Sequence, residues 1–547
     1  MLALVVATNV PFWGKAFHVD DAFFIAIAKN VRDHPLRPFA GAVALDDTDQ
    51  RVFARLGRAP NTFETLSHPP LVPYAVAAAS AVGGLREIPI HAAFVVFPVI
   101  AAVFQYRLAR RFIPAPLSAT LLLVSCPLFI IGSQGLMTDV PALALFLAGL
   151  CLFIEGTDSS NVRKLLLAGL AGGLACLTRY VCLGLVPIAA LYAFTRRPRP
   201  ARAVLALVPF LAVLGLWVLQ NQMEHGSVHL AASARHYAHY YEGRFLSLPE
   251  LGRRLITDLA ALGGTLLPLA VLLARDGRHG QDARIAASVL GAAALVWLNP
   301  FELDELPFYE FGEKAALNLC LGAALFLLAE ALHRARPLRS DRGFLLLWLG
   351  SGLLATVLLL PFGAARYMIP ITPPLLVLLC AGHPGESWAD EFVRHDRGAQ
   401  LTVALTLGLG LLLAVADYRY AGVYRDFTRC GVPAVAGKER VWFIGDWGFR
   451  FYMERAGHRY LSSTDDTATE GDIVIRPQIA GLHQMSPGLR GRAQAVATLP
   501  IEDPLPFRLM SHEANAGYYS HAWGLLPYAV SDAPLELFDV FRVVPRS

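Results

Sequence analysis

Charge is what this sequence has least of: only 16% of its 547 residues are Asp, Glu, Lys or Arg, against roughly 25% in an ordinary soluble domain. That shortage, beside 55% hydrophobic residues, excludes a soluble or disordered chain and marks an integral membrane protein. A charge of one sign is also missing. The balance of 47 basic and 43 acidic residues, net +4, is too small for a nucleic-acid binder. The seven cysteines show no disulfide or zinc spacing: Cys126, Cys151, Cys176, Cys182, Cys320 and Cys380 lie in or beside apolar runs, and only Cys430 is in a polar region. There is no internal repeat of the kind that marks the inverted halves of a secondary transporter. A nucleotide-sugar motif is absent too.

What the sequence does have is a series of apolar runs long enough for a membrane, where a spanning helix needs about 20 residues. Runs fall at 1–17, 89–106, 116–133, 140–154, 163–178, 181–195, 203–220, 255–274, 284–298, 314–332, 343–361, 367–382 and 399–416. The run at 70–84 is short enough to read as re-entrant or interfacial. Leaving it out puts Arg107, Arg110, Arg111, Arg163, Lys164, Arg196, Arg197, Arg199, Arg202, Arg275, Arg278, Arg284, Arg334, Arg336, Arg339 and Arg342 on one side, the cytoplasmic side by the positive-inside rule. The expected fold is therefore an all-α polytopic membrane protein with about 13 transmembrane helices, a cytoplasmic N-terminus and an external C-terminus. Residues 1–420 form the membrane domain, with a first external loop at 18–69. Beyond it, β-branched or aromatic runs at 441–445, 472–476, 493–500 and 537–545, with a helix at 446–456, predict a small extracytoplasmic α/β domain over 421–547.

The unusual polar residues fall on the external side. Asp20 and Asp21 open an amphipathic helical stretch, and Asp139 opens a span with Pro141 in its first turn. Locally each aspartate reads as a helix cap, favoured by the helix dipole, and a rigidly held carboxylate there can also act as a general base. His68 precedes the proline pair that starts the short helix. Arg179 and Arg366 lie in short external connections, where the positive-inside tendency disfavours arginine. Snorkelling explains one such arginine; a partner of opposite charge or an anionic ligand explains two. Carboxylates and guanidinium groups on one face suit transfer of a sugar from a lipid phosphate, in which a base takes the acceptor proton and cations neutralise the leaving phosphate.

Taken in order, Asp20-Asp21, HPPL (His68 to Leu71), TDVP (Thr138 to Pro141), LTRY (Leu177 to Tyr180) and RYMIPITPPLL (Arg366 to Leu376) resemble the GT-C glycosyltransferases. The similarity is to the bacterial branch of the dolichyl-phosphate-mannose protein mannosyltransferases and to the lipid A aminoarabinose transferases; it covers roughly residues 1–420 in architecture, and thirteen spans followed by an external α/β tail resemble the aminoarabinose transferase plan. The resemblance implies that Asp20 is the base that activates the acceptor, with Asp21 and Asp139 as catalytic supports. His68, Arg179, Tyr180, Arg366 and Tyr367 are the implied substrate-binding residues. The family's acidic pair is usually Asp-Glu, and here its second member is Asp21. A divalent metal at Asp139 is known in some members; no cofactor is otherwise implied.

The expectation is a bacterial inner-membrane glycosyltransferase that takes a sugar from a polyprenyl-phosphate donor and gives it to an acceptor lipid, glycan or protein, among membrane lipids and without nucleic acid. The alternative is a non-enzymatic carrier or flippase for a lipid-linked saccharide, which needs polar residues along a mid-membrane path. Two further clusters read as structural. His225, His229, His236 and His239 lie among Tyr237, Tyr240 and Tyr241, where spacings of three and four also suit a metal, but the aromatic content favours an interfacial segment; residues 301–314 read as an acidic solvated loop rather than the lining of an acceptor cleft. The first span carries Lys15 and has no basic flank or cleavage site of a signal peptide. At 1.5 Å per residue it reaches about 26 Å, short of the hydrocarbon core. We expect translation to start upstream of Met1, and N-terminal sequencing of the mature protein that finds Met1 itself would reject this.

Overall fold

The computed structural model describes residues 1–40, 47–55, 57, 61–65, 68–196, 201–241, 243–275, 280–336, 341–381 and 397–545. Ser67, Arg197, Arg199, Arg278 and Arg339 therefore lie outside the described residues. Each of the thirteen runs expected to span contains helix among the described residues, though not every run is helical throughout. Among the described residues, six helices are long and apolar enough to cross a membrane: Glu87–Phe112, Asp139–Asp158, Ala201–His225, Phe311–Arg334, Arg342–Leu359 and Arg397–Ala436. Leu248–Thr265 and Leu267–Ala274 together make a seventh, bent by 69°. The chain is a multi-pass membrane protein. Other apolar helices, among them Leu2–Phe12, Pro116–Ser125, Tyr180–Thr195 and Ala365–Leu379, are shorter.

The breaks have chemical causes. Pro268 follows the bend at Leu266, and Pro127 follows the break at Cys126 that splits the expected span at 116–133. Proline lacks the N–H that the helix ladder requires. The first span also stops sooner than expected, at Phe12. This leaves Lys15 beyond the helix, fully buried and paired with Asp417 of the last membrane helix. Burial separates lipid-facing from central helices. Ala201–His225 exposes Val208, Leu211 and Leu216, whereas Asp139–Asp158 is buried along nearly its whole length.

Asp139–Asp158 also measures the bundle, since 20 residues at 1.5 Å each span about 30 Å. Its far end is an ionic belt. Glu155 accepts from Arg107 at 2.7 Å and from Lys164 at 2.7 Å, Asp158 from Arg111 at 3.0 Å, and Glu330 from Arg284 at 2.6 Å. Basic residues expected on a single side thus meet at a single end. Asp139 and the other motifs occupy the opposite end.

At that opposite end the short helix Leu71–Gly83 packs against Asp21–Asp33, the helix of the first long loop. Leu71 N–H donates to the Leu177 carbonyl at 3.0 Å, tying HPPL to LTRY. The last membrane helix, Arg397–Asp426, runs on through a π-turn at Phe427–Gly431 to Val432–Ala436. A five-stranded sheet follows, in the order Arg459–Tyr460, Val441–Phe443, Ile473–Pro477, Glu536–Val543, Ala493–Ile501. The first three strands are parallel and the last two run antiparallel to their neighbours, with a bulge between Ala495 and Ala497. The helix Trp447–Arg455 crosses back onto Asp21–Asp33, so the strand domain rests on the first loop. Residues 301–314 form a helix cap: Glu310 and Glu313 make reciprocal capping bonds, and Glu313 also accepts from Asn515 of the strand domain at 2.8 Å.

Small residues set how closely the helices approach. A Cβ on Gly263 would lie 1.8 Å from the Cys320 carbonyl oxygen and 2.6 Å from the Ala324 nitrogen, so any larger side chain must separate Leu248–Thr265 from Phe311–Arg334. Gly263→Val is expected to cost about 1–3 kcal/mol by overpacking, read as a lowered melting temperature of the purified protein in detergent; an unchanged melting temperature would contradict this contact.

Candidate active site

Four chain segments with no continuity in sequence bring Asp20, Asp139, Arg179 and Arg366 together. Asp20 precedes the helix Asp21–Asp33, and Asp139 begins Asp139–Asp158. Arg179 follows Val162–Cys176 in extended conformation, and Arg366 lies in the 3-10 turn Ala365–Ile371. Neither aspartate caps its helix, because neither helix start has a side-chain cap hydrogen bond. Their partners are instead the guanidinium groups. Arg179 Nη1 binds Asp139 Oδ1, and Arg366 lies between two carboxylates, 3.3 Å from Asp20 Oδ2 and 3.9 Å from Asp139 Oδ2.

The two arginines carry like charges, share the Asp139 carboxylate and both lie against Tyr367. Its ring is 4.9 Å from the Arg179 guanidinium and 5.4 Å from that of Arg366, so each cation faces the electron-rich ring. Arg366 donates a further bond to Met137 Sδ at 3.1 Å, while its buried Nε has no hydrogen-bond partner among the described residues. That Nε is the atom facing Asp139 Oδ2 at 3.9 Å, too far for a hydrogen bond, so its unfilled donor is suited to an anionic oxygen. His68 lies beside this pair. Burial, then the charges of Arg179, Arg366 and His229, hold its pKa well below the ordinary value, so at neutral pH it carries no charge.

Exposure separates the carboxylates. Asp20 has 27% of its side chain accessible, against 1% for Asp139 and 1% for Asp21. Asp139 is therefore the fixed counter-ion of Arg179, and Asp20 is the carboxylate that a substrate can reach. Asp21 faces away from the cluster and braces two segments: its Oδ1 accepts from Leu136 N–H at 2.8 Å and its Oδ2 from His18 N–H at 3.3 Å. Tyr180 also turns away. Its hydroxyl meets His229 Nδ1 at 2.8 Å and accepts from Trp217 Nε1 at 3.0 Å.

The histidine-rich segment forms the helix His229–Tyr240, and a carboxylate distant in sequence reaches it through the fold: His236 Nε2 is 2.7 Å from Asp49 Oδ1. No group of three His, Cys, Asp or Glu with metal-holding geometry occurs among the described residues. The site carboxylates Asp20 and Asp139 are matched to guanidinium groups.

Sequence reading missed the polar network beneath Asp20. His18 Nε2 lies 3.2 Å from Asp417 Oδ1 and 3.1 Å from Tyr519 Oη, and Lys15 pairs with the same Asp417. Its one sequence signal was Lys15 at the end of an apolar run. Between His18 and Asp20, Val19 has φ 48°, a left-handed conformation that is unfavourable for a β-branched residue. Such backbone costs roughly 1–3 kcal/mol and persists only where its surroundings over-determine it.

Residues 67–220 match the family model described as dolichyl-phosphate-mannose-protein mannosyltransferase. The chain resembles the GT-C glycosyltransferases. The matched stretch holds His68, Asp139, Arg179 and Tyr180 and leaves out Asp20 and Arg366. Solved structures similar to the chain include ArnT from Cupriavidus metallidurans in the apo state, at 14% identity over 87% of this chain and 92% of that one, TM-score 0.39. The same protein bound to undecaprenyl phosphate is similar at 14% identity over 90% and 96%, TM-score 0.42. The arabinofuranosyltransferase AftD from Mycobacteria matches at 14% identity over 100% of this chain and 42% of its own, TM-score 0.40. No curated protein matches the chain.

The two ionisable groups beneath Asp20 make stability depend on pH. Burial and the Lys15 charge push the His18 pKa down, but Asp417 and Asp21 outweigh them and hold it above its ordinary 6.5. Burial pushes the Asp21 pKa up, but the bond and charge of His18 outweigh it and hold it below 3.8. The Asp21 contribution is present above pH 3.8 and lost as pH falls through its lowered pKa; the His18 contribution is present below pH 6.5 and lost as pH rises through its raised pKa. Thermal melting of the purified protein is expected to be highest between those values and to fall above them. His18→Gln should flatten that alkaline decline, and an undiminished decline in the variant would remove His18 as its cause.

Proposed function

We propose that this chain is a membrane glycosyltransferase that moves a sugar from a polyprenyl-phosphate donor to an acceptor on the external face of a bacterial inner membrane. Residues 1–420 are the transferase body, with a cytoplasmic N-terminus, and 421–547 the external domain. The observation that carries the reading is Arg366 held between Asp20 and Asp139, with Arg179 paired to the same Asp139 and both guanidinium groups near the Tyr367 ring.

In this reading the donor phosphate enters beside Arg179 and Arg366, where two cations and the open Nε of Arg366 can receive its oxygens. Binding of that anion competes with Asp20 for Arg366. A released Asp20 carboxylate is then a stronger acceptor for the proton of the incoming hydroxyl. As the acceptor oxygen forms its bond to the anomeric carbon, the bond from that carbon to the phosphate oxygen breaks. The polyprenyl phosphate leaves with the electron pair, and its charge is met by groups already in place. His68 donates a hydrogen bond at the rim, and Asp139 keeps Arg179 oriented. The acceptor is a lipid, a glycan or a protein hydroxyl.

Replacing Asp20 by Asn keeps its size and removes the base. Loss of a general base typically costs about 10²–10⁴-fold in rate, so Asp20→Asn is expected to abolish measurable transfer in an assay with polyprenyl-phosphate sugars while the protein remains monodisperse in detergent. Near-normal turnover by that variant would sink the assignment.

A further inference from the structure

One short segment of the C-terminal domain, Tyr518 to His521, touches both stretches of chain that carry the charged cluster. On the first side Tyr519 Oη donates to Asp417 at 2.9 Å and receives His18 Nε2 at 3.1 Å. His18 is two residues from Asp20, with the left-handed Val19 between them. The domain supports the same loop from a second direction: Tyr452 Oη accepts from Phe17 N–H at 3.0 Å, and Gly448 lies so close that a Cβ there would meet the Phe17 carbonyl oxygen at 2.2 Å.

On the second side the Tyr518 carbonyl accepts from Ala365 N–H at 2.9 Å, one residue before Arg366. Gly363 is held by a pair of bonds to His521. Its N–H donates to His521 Nδ1 at 3.0 Å, and its carbonyl accepts from His521 N–H at 2.9 Å. Asp258 of the bundle completes this clamp by accepting from Ala364 N–H at 3.2 Å.

We propose that Tyr518 to His521 is a positioning element for sugar transfer, in which Tyr519 sets the Asp20 carboxylate through His18 and His521 sets Arg366 through Gly363. The proposal rests on the transfer reading above. Its physical basis is that a left-handed Val19 is not held by its own preferences, and that the backbone before Arg366 is anchored by Tyr518 and His521 of the C-terminal domain as well as by Asp258 of the bundle. Misplacement by about 1 Å at such a site costs on the order of a hundredfold in rate. The two ends should fail differently. Asp20 acts on the acceptor in the transition state, so loss of its support lowers kcat; Arg366 receives the donor phosphate, so loss of its support weakens donor binding.

The test compares full-length protein in detergent carrying Tyr519→Phe, His521→Ala, His521→Asn or Tyr528→Phe. The readouts are turnover of a polyprenyl-phosphate-linked sugar and affinity for a polyprenyl monophosphate. Tyr519→Phe is expected to lower kcat at least about tenfold with affinity nearly unchanged, and His521→Ala to weaken affinity about tenfold. His521→Asn, whose side-chain oxygen can accept from Gly363 N–H, should recover most of that loss. Tyr528 makes the same kind of domain-to-bundle bond, to the Gly264 carbonyl at 3.0 Å, away from both site segments, so Tyr528→Phe should leave both readouts unchanged. Normal kcat in Tyr519→Phe together with normal affinity in His521→Ala would overturn the proposal, as would equal losses in Tyr528→Phe, which would mean general domain docking. If Asp20→Asn is inactive while these variants are normal, positioning alone fails; if Asp20→Asn is active, the transfer reading itself fails.

Discussion

A guanidinium group buried at the edge of a membrane cannot stand without a counter-charge, and Arg366 is the place where this chain meets that constraint. Removing one partner from a buried pair leaves an uncompensated charge at a cost of about 3–5 kcal/mol. Arg366 is 6% exposed and shared by Asp20 and Asp139, and Arg179 is 5% exposed and tied to Asp139. The pairing draws four distant segments to one point. It also makes the site responsive, because an arginine shared by two carboxylates at 3.3 and 3.9 Å is more easily drawn to a phosphate than one locked in a bidentate pair.

The rest of the architecture keeps that point still. The ionic belt of Arg107, Lys164, Glu155, Arg111 and Asp158 gathers at the other end of the bundle, while at the motif end Asp20, Asp139, Arg179 and Arg366 pair with one another. Asp21 fastens the Asp20 loop to the segment before Asp139, and Leu71 fastens HPPL to LTRY. The strand domain presses on the Asp20 loop through Tyr452 and Gly448. A β-branched residue held at positive φ beside the exposed carboxylate belongs to this pattern of strain supported from outside.

Local pattern made much of this legible from the residues alone. Apolar runs marked the helices, and β-branched runs at 441–445, 472–476, 493–500 and 537–545 fall on strands of the sheet. The order of short motifs picked out Asp20, Asp139, Arg179 and Arg366. Helix-capping preference, also a local signal, suggested caps at Asp20 and Asp139 that do not form, because the tertiary pairing with arginine outweighs them. Bends at Leu266 and Cys126 were hidden in continuous hydropathy, which is insensitive to a single proline. Contacts that cross hundreds of residues left almost no trace. Lys15 at the end of an apolar run signalled a missing partner, but nothing near it pointed to Asp417, and Tyr519 and His521 sit among ordinary loop residues of the second domain. Tyr180, grouped with Arg179 by its motif, turns toward His229: Arg179 is the extended residue before the 3-10 turn that Tyr180 begins, so the two side chains leave the backbone in different directions.

The central claim is that the donor phosphate and Asp20 compete for Arg366. Its most direct test is the affinity of purified protein for a polyprenyl monophosphate in mixed micelles, compared between the unaltered chain and Asp20→Asn. Removing the competing carboxylate charge frees the guanidinium, so the account predicts tighter binding by the variant, with the gain lost when Arg366→Ala is added. Unchanged or weaker binding by Asp20→Asn would contradict it.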